Sequence, residues 1–317
     1  MQDFEALLQK KATDIERILK SFLPMEQGEQ KTVVEAMNYS LLAGGKRLRP
    51  MMMQETYRLF GGKEKVIEPF MAAIEMIHTY SLIHDDLPAM DNDEYRRGRR
   101  TTWSVYGEGM GILAGDGLLN YAFETALRAV PGITGPGQSG AVQGEEEGKP
   151  ELQTLGAVFQ AMKVLAHKAG IYGMIGGQTA DIEAEKQSGP LSADQLLFIH
   201  ENKTAALIQA SMMIGAILAG AEEAQVCAME KCAYNIGIAF QIQDDILDVT
   251  GDSGELGKTA GSDAQNHKQT YVTVKGLEQS QKDVETLSQE AIAILKELPG
   301  DSGFLEQLTE YLIHRRK

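Results

Sequence analysis

Residues 224–247 read AQVCAMEKCAYNIGIAFQIQDDIL, a long apolar stretch that carries two adjacent aspartates near its end. Its apolar residues recur at spacings of three and four positions, which is the pattern of a helix with one face in a protein core. The alternating pattern of a half-buried β-strand is almost absent from the chain. The stretch therefore predicts a long core helix.

The helical pattern is repeated along the whole chain of 317 residues. It occurs at residues 4–23, 33–43, 69–87, 112–130, 155–169, 193–199, 205–219 and 284–298. Glycine or proline marks the breaks, for example at Gly44-Gly45 and Gly61-Gly62. We therefore expect an all-α fold in which residues 1–317 form one large helical bundle domain.

One long segment lacks this pattern. Residues 131–150 hold six glycines, an internal Pro136 and an acidic run at 145–147. Such long connections are either functional or disordered, and nothing in this one has catalytic character. We predict a flexible surface loop.

The charge balance excludes several kinds of partner. The formal net charge is -15 at pH 7, whereas binding nucleic acid or anionic lipid through charge needs a basic surface. The most apolar of the later stretches, residues 208–220, is shorter than the ~20 residues that a membrane helix needs. We expect no nucleic-acid partner and no stable membrane insertion.

The cysteines and the first residues bear on the cellular compartment. Cys227 and Cys232 match neither a disulfide framework nor a zinc-ligand spacing. Residues 1–20 alternate acidic, basic and apolar side chains, without the pattern of a signal peptide. We predict a cytoplasmic protein in which both thiols lie in the core.

The aspartates of the opening stretch form one cluster of oxygen donors. Asp244, Asp245 and Asp248 occupy helical positions i, i+1 and i+4, and Gln241 lies one turn earlier on the same stripe. Three carboxylates in an apolar helix are costly unless they face solvent or a cation. Mg²⁺ prefers such oxygen ligands, and the apolar neighbours leave little surface for a merely solvated acidic face. The pattern predicts a site for a metal or another cationic ligand.

A second acidic motif, DDLPAMD, begins at Asp85. Pro88 should end the preceding helix and let Asp91 fold back toward Asp85 and Asp86. His78 lies two helical turns before Asp85 on the same face. We expect a second site for divalent cations here.

Basic residues follow this motif at once. Arg96, Arg97, Arg99 and Arg100 flank Gly98. Divalent cations beside bidentate guanidinium groups suit a diphosphate better than other ligands. For Arg99 and Arg100, simple balancing of the neighbouring acids remains the alternative.

Another basic segment, GGKRLRP at residues 44–50, follows a predicted helix. It presents Lys46, Arg47 and Arg49 on what we expect to be a short exposed stretch. Anion binding is the functional interpretation, and a solvated basic surface is the alternative.

These segments occur with others in a fixed order along the chain. The set is GGKRLRP, EMIHTYSLIHDDLPAMDNDEYRRG, GILAGDGLL, GGQTADIEAE, HENKTAALI, FQIQDDILDVTGD and LGKTAGSD. Over nearly the whole chain it resembles the polyprenyl synthetase family, and within that family the bacterial farnesyl diphosphate synthases. Both aspartate motifs together with the basic segments make a specific signal, although each alone is weak.

The resemblance implies a fold, a reaction and a cofactor. The fold is a helical bundle of the isoprenoid synthase type with a central active-site cavity, and the implied assembly is a homodimer. The reaction is the head-to-tail condensation of dimethylallyl or geranyl diphosphate with isopentenyl diphosphate. The implied cofactor is a trinuclear Mg²⁺ cluster bound with the allylic diphosphate.

The resemblance also assigns residues. The metal ligands are Asp85, Asp86, Asp91, Asp244, Asp245 and Asp248. The substrate-binding residues are Gly45, then Lys46, Arg49, His78 and Arg97 on the isopentenyl side, and Arg96, Lys203, Thr204, Gln241 and Lys258 on the allylic side. The catalytic group comprises Asp85, Asp86, Asp91, Lys203, Thr204, Gln241, Asp244 and Asp245.

Product length rests on residues just before the first motif. In the family, a bulky aromatic residue five positions before the motif, with the longer DDxxxxD form, goes with a C15 product. Tyr80 stands there and Ser81 follows it, so the resemblance implies farnesyl diphosphate as the product. A geranylgeranyl or longer product is the alternative, in which Tyr80 is only a core tyrosine.

Two alternatives come from other classes. Glu75 and His78 have the Glu-x-x-His spacing of di-iron proteins, but no second pair of this kind is present in the sequence. A non-catalytic partner subunit of a heteromeric synthase is expected to have lost the aspartates, which are present here. One departure from the family pattern, the sequence RRTTW at 99–103, bears on substrate binding.

Overall fold

The computed structural model describes residues 2–130, 152–187, 189–250 and 269–315, and this part of the chain is almost wholly helical. The first helices are α1 (Gln2–Ser21), α2 (Lys31–Leu41), α3 (Leu48–Leu59), α4 (Glu68–Asp85), α5 (Thr102–Tyr106) and α6 (Glu108–Leu127). The later helices are α7 (Leu152–Ala169), α8 (Met174–Glu185), α9 (Ala193–Ile199), α10 (Ala206–Leu218), α11 (Glu223–Thr250), α12 (Tyr271–Lys275), α13 (Leu277–Lys296) and α14 (Gly303–His314). A 3₁₀ turn (Lys65–Ile67) precedes α4, and a π-helical segment (His200–Ala205) precedes α10. The prediction of an all-α fold is confirmed.

The chain divides into two compact units. The first unit comprises Gln2–Gln54 and Lys63–Met162, and the second comprises Glu55–Gly62 and Lys163–Lys317. The single domain over residues 1–317, with its central cavity, stays a prediction. The expected loop at 131–150 lies outside the described residues.

The core of the first unit is helix α4. Pro69 lies in its first turn, where the missing N–H costs no helical hydrogen bond. Phe70, Ile74 and Ile77 are fully buried, because α4 packs against α1, α2 and α6. The helix with its 3₁₀ turn is apolar and long enough to cross a membrane by composition, but 72% of the apolar window is buried within the protein. This burial is what a core helix requires.

The core of the second unit is helix α11, the stretch from which the fold prediction began. It packs against α10, α13, α14 and the π-helical segment. Ile238, Ile242 and Ile246 are buried there at the predicted four-residue spacing, together with Val272 and Val284. Cys232 is buried as predicted, whereas Cys227 is exposed, so the prediction of two core thiols was wrong for Cys227.

A short hairpin was not predicted from the sequence. Strand β1 (Tyr95–Arg96) pairs antiparallel with β2 (Arg99–Arg100). The two turn residues, Arg97 and Gly98, both have positive φ, as a two-residue type I′ turn requires. Strands of two residues are too short to show an alternating pattern, so Gly98 in the turn was the one sequence feature that pointed to this hairpin.

Three longer helices also lie outside the predicted segments, namely α3, α8 and α14. Helix α8 carries adjacent glycines and few apolar residues, so it shows little periodicity. Helix α3 begins in the basic segment that was expected to be exposed. Helix α14 does show helical spacing and was missed.

Candidate active site

The first aspartate motif lies at the end of α4, in the first unit. Asp85 is the last residue of the helix and Asp86 follows it. The backbone N–H of Asp91 donates to the carbonyl of Asp85 at 2.8 Å, and that of Asp93 donates to the carbonyl of Asp86 at 3.1 Å. The chain after Pro88 therefore folds back on the helix end, as the sequence predicts.

The buried carboxylate of this motif is held by the hairpin. Nε of Arg96 donates to Oδ1 of Asp86 at 2.6 Å. Burial raises the pKa of Asp86 to about 6, because desolvation of the carboxylate outweighs the attraction of Arg96. The structure thus brings together Asp86, predicted to bind metal, and Arg96, predicted to bind the allylic substrate.

Guanidinium groups from two distant segments surround His78. Burial lowers the pKa of His78 well below its usual range, and Arg49, Arg97, Arg47 and Arg96 lower it further in that order. The imidazole is therefore neutral at pH 7, beside several fixed positive charges. Such a concentration of cations favours an anionic ligand.

These side chains line a cavity of about 40 Å³, whose wall includes His78, Asp86 and Arg96 with the exposed Arg97 and Arg99. A space of this size holds water-sized molecules.

The basic segment at 44–50 is only partly exposed. Lys46 is exposed, but Arg47 is buried, and its Nη1 donates to Glu75 Oε1 at 2.7 Å. Nη2 of Arg47 donates to the carbonyl of Leu41 at 2.8 Å. The prediction that Arg47 is exposed was wrong, because the buried carboxylate of Glu75 binds it. The same pair commits Glu75 to a guanidinium, which opposes the di-iron alternative.

Gly45 has a specific steric role in this segment. Its φ of 138° favours glycine, and a Cβ there would lie 2.5 Å from Nη1 of Arg97. The Arg97 guanidinium donates a short hydrogen bond to the carbonyl of Gly44. Arg97 therefore lies against the backbone of Gly45, and both residues were predicted to bind substrate.

The predicted chain-length residues lie on α4. Tyr80 is buried, and its ring meets that of His84 almost at right angles, with the centroids 5.8 Å apart. Burial, and then Asp85, raise the pKa of Tyr80 to about 12. The hydroxyl of Ser81 donates to the carbonyl of His78 at 2.9 Å. Tyr80 is thus a fixed, bulky side chain below the motif.

In the second unit, the second motif belongs to a hydrogen-bonded chain of side chains. Thr204 Oγ1 donates to Gln241 Oε1 at 2.9 Å, and Gln241 Nε2 donates to Asp245 Oδ1 at 3.3 Å. The backbone N–H of Tyr271 donates to Asp245 Oδ2 at 2.7 Å. Asp245 is therefore a buried anchor for the start of α12, while its neighbours Asp244 and Asp248 are partly exposed.

Asp244 has a partner that the sequence analysis missed. Nη2 of Arg315 donates to Asp244 Oδ1 at 2.5 Å. Arg315 stands in the basic run HRRK at residues 314–317, which matches none of the motifs that assigned the other site residues.

Lys203 and Thr204 lie on the π-helical segment. Nζ of Lys203 is 2.6 Å from Oδ2 of Asp181 on α8, a carboxylate that was not among the predicted site residues although it lies in the GGQTADIEAE motif. Two glycines allow the segment to approach closely. A Cβ on Gly177 would lie 2.6 Å from the carbonyl carbon of Asn202, and one on Gly237 would lie 2.7 Å from Cα of Ala205. Such π-turns occur frequently at functional sites.

The donor chemistry of each motif fits Mg²⁺. Asp85, Asp244 and Asp248 are partly exposed and Asp91 is exposed, so all four offer hard oxygen atoms to a cation. Among the described residues, no three His, Cys, Asp or Glu side chains form a group that could hold a metal ion. Lys258 lies outside the described residues.

Comparisons with known proteins agree with this chemistry. The family model described as Polyprenyl synthetase matches residues 30–309. The farnesyl diphosphate synthase of Escherichia coli K12 is 40% identical, over 99% of this chain and 100% of that protein. The chloroplastic geranylgeranyl pyrophosphate synthase of Catharanthus roseus is also 40% identical, over 99% of this chain and 82% of that protein.

Among solved structures, an apo FPP/GFPP synthase from Zymomonas mobilis matches with a TM-score of 0.81 and 29% identity. The match covers 98% of this chain and 99% of that one. The likeness therefore extends over the whole length of both chains.

Proposed function

The chain belongs to the polyprenyl synthetase family, and we propose that it is a farnesyl diphosphate synthase. As a trans-prenyltransferase of this family, it acts on isoprenyl diphosphates. The proposed reaction joins isopentenyl diphosphate head to tail to dimethylallyl and then to geranyl diphosphate, with the C15 chain as the product.

The observation that carries the reaction class is the cationic cluster around His78. Arg49, Arg96 and Arg97 come from two segments of the chain and concentrate positive charge beside the motif of Asp85 and Asp86. A diphosphate can bind both to such a cluster of arginines and, through Mg²⁺, to a set of carboxylates. Fixed positive charge stabilises the charge that develops on a leaving diphosphate, which is where electrostatic catalysis is largest.

The residues of the chain take distinct roles in this proposal. On the isopentenyl side, Lys46, Arg49, His78 and Arg97 bind the diphosphate. Arg96, Lys203 and Lys258 bind the allylic diphosphate on the other side. The hydroxyl of Thr204 and the amide of Gln241, already hydrogen-bonded to each other, present dipoles to the allylic cation.

Magnesium supplies charge neutralisation for the departing diphosphate, and prenyl synthases of this family use Mg²⁺. The carboxylates that would hold it are Asp85, Asp86, Asp91, Asp244 and Asp248. For Asp245 we propose a supporting role, because both of its oxygens already accept hydrogen bonds from within the protein.

The C15 product is supported by Tyr80. Its side chain is buried on α4 five positions before Asp85, and a bulky ring there limits how far an allylic chain can extend. Sequence identity does not separate the candidates, because the farnesyl and geranylgeranyl synthases named above are equally similar to this chain. A geranylgeranyl product is therefore the second candidate.

The decisive experiment is product analysis. Purified protein is incubated with dimethylallyl diphosphate, labelled isopentenyl diphosphate and Mg²⁺, and the dephosphorylated products are separated by chain length. We expect farnesol as the main product. A C20 main product would replace the proposed length, and a lack of condensation would contradict the enzyme itself, leaving the non-catalytic partner subunit.

A homodimer in the cytoplasm completes the proposal. Helix α6 exposes the apolar Ile112 and Leu113, at 42% and 54% of their surfaces, and a second copy of the chain is a suitable partner for such side chains. Both cysteines are free thiols, which agrees with a reducing compartment. Light scattering after gel filtration tests the dimer, since a monomeric mass contradicts it.

A further inference from the structure

Arg315 is held rigidly against helix α11. Its side chain is 3% exposed, and Nη2 donates both to Asp244 Oδ1 at 2.5 Å and to the carbonyl of Phe240 at 3.2 Å. The guanidinium carbon lies 3.9 Å from the centroid of the Phe240 ring. Ion pair, hydrogen bond and cation–π contact together fix one orientation of the guanidinium.

The two partners differ in their exposure to water. The Asp244 side chain is 45% exposed, whereas Arg315 is almost completely enclosed. Arginine stays charged even when it is buried. A cation that approaches the exposed side of Asp244 therefore meets a fixed positive charge on the other side of the same carboxylate.

We propose that Arg315 is a positioning residue of the second aspartate motif, which orients Asp244 and weakens its binding of a divalent cation until a diphosphate is also present. The inference rests on the proposed function, in which Asp244 is a metal ligand. Like charges a few ångströms apart repel, so the guanidinium lowers the affinity of Asp244 for the cation. A diphosphate carries several negative charges, which offset this repulsion. Metal and diphosphate consequently bind with positive coupling.

A neutral substitution separates this role from a purely structural one. Arg315→Met keeps the hydrocarbon contact with the Phe240 ring and removes the charge. Because Asp244 is partly exposed, water can solvate its carboxylate after the substitution, and the fold should survive. Arg315→Lys is the matched control, since it keeps the charge and loses the planar fork.

The first test measures Mn²⁺ binding in the absence of any diphosphate. All variants carry Asp85→Asn and Asp91→Asn, so that the first motif contributes little, and free Mn²⁺ is counted by electron paramagnetic resonance during titration. We expect Arg315→Met to bind Mn²⁺ at least about fivefold more tightly than the parent, the low end for coupling between sites. The Mn²⁺ dissociation constant of Arg315→Lys should stay within about twofold of the parent value, because lysine keeps the positive charge.

The second test measures coupling in the otherwise unmodified chain. The Mn²⁺ dissociation constant is determined with and without inorganic pyrophosphate. The value without pyrophosphate divided by the value with it measures the coupling, and this ratio should be smaller in Arg315→Met than in the wild type. Unchanged or weaker Mn²⁺ binding by Arg315→Met, or an unchanged ratio, overturns the inference. If Arg315→Met does not fold, Arg315→Gln takes its place in both measurements.

Asp244→Asn distinguishes a failure of the inference from a failure of the proposed function. If this variant, in the background lacking the first motif, binds Mn²⁺ as tightly as its parent, Asp244 is not a metal ligand and the proposed function loses that assignment. If it binds more weakly while Arg315→Met behaves like the parent, the metal role stands and the role of Arg315 is rejected.

Discussion

The hydroxyl of Thr204 donates to the side-chain oxygen of Gln241 at 2.9 Å, and so links the π-helical segment to helix α11. The two residues are 37 positions apart in the chain. Each was assigned to the allylic substrate on sequence grounds. Their contact depends on how closely the π-helical segment approaches its neighbours, which the glycines at 177 and 237 permit.

We predict that Gly177→Ala lowers the turnover number by about 100-fold, the cost of a displacement near 1 Å at a catalytic group. The new Cβ would meet the backbone of Asn202 and Lys203, and backbone cannot rotate away as a flexible side chain can. The Lys203 and Thr204 side chains must then shift. Turnover is measured with saturating substrates, alongside urea unfolding.

Gly156→Ala is the control for this substitution. Gly156 lies within α7, and a Cβ there meets nothing within 4 Å. We expect unchanged turnover and a gain in stability of up to about 1 kcal/mol, because alanine favours helix over glycine. Near-normal turnover of Gly177→Ala would refute the steric role of the glycine.

We predict that Glu75→Leu destabilises the protein by about 3 kcal/mol, because the buried Arg47 guanidinium then keeps only Glu16, at 3.7 Å, as a carboxylate partner. Both side chains are almost fully enclosed, at 2% and 4% exposure, so water cannot replace the lost partner. The double variant Arg47→Met/Glu75→Leu should cost less than Glu75→Leu alone. Urea unfolding at pH 7 gives the three free energies, and a double variant less stable than Glu75→Leu argues against the pair.

We predict that His78 makes the protein less stable as the pH falls below 6.5. Its pKa is lowered in the folded state, so the unfolded chain takes up the proton first and unfolding becomes more favourable. The slope can reach about 1.4 kcal/mol per pH unit for one proton. His78→Gln removes this contribution. The other histidines are present in both proteins, so their effects cancel in the comparison.

The measurement is the free energy of unfolding of both proteins between pH 7.5 and pH 5.5. We expect the wild type to lose more free energy of unfolding than His78→Gln as the pH falls through that interval. A constant difference would mean that the folded imidazole titrates normally.

We predict that Tyr80→Ala shifts the product from C15 to C20 or longer, because removal of the buried ring opens space below the first motif. Loss of a buried aromatic side chain also costs about 3–5 kcal/mol of stability, so the readout is the product ratio and not the rate. Tyr80→Phe keeps the ring and should keep the C15 product. An unchanged product from Tyr80→Ala would show that other residues limit the chain.

Part of this structure could be predicted from the sequence because the signals are local. Apolar spacing of three and four residues identified the helices that became α4 and α11, since one helical face must be buried. Pro88 predicted that the chain folds back at Asp91, and the hydrogen bond from Asp91 to Asp85 agrees. The order of the motifs along the chain identified the family.

Only the tertiary structure decided which of these residues bind each other. Arg47 and Arg49 stand two positions apart in one basic segment, yet Arg47 is enclosed with Glu75 while Arg49 lies in the group of cations near His78. Asp244 and Asp245 are adjacent, yet one binds Arg315 and the other the backbone of Tyr271. Such pairings join segments far apart in the chain, so they depend on packing, which local spacing does not encode.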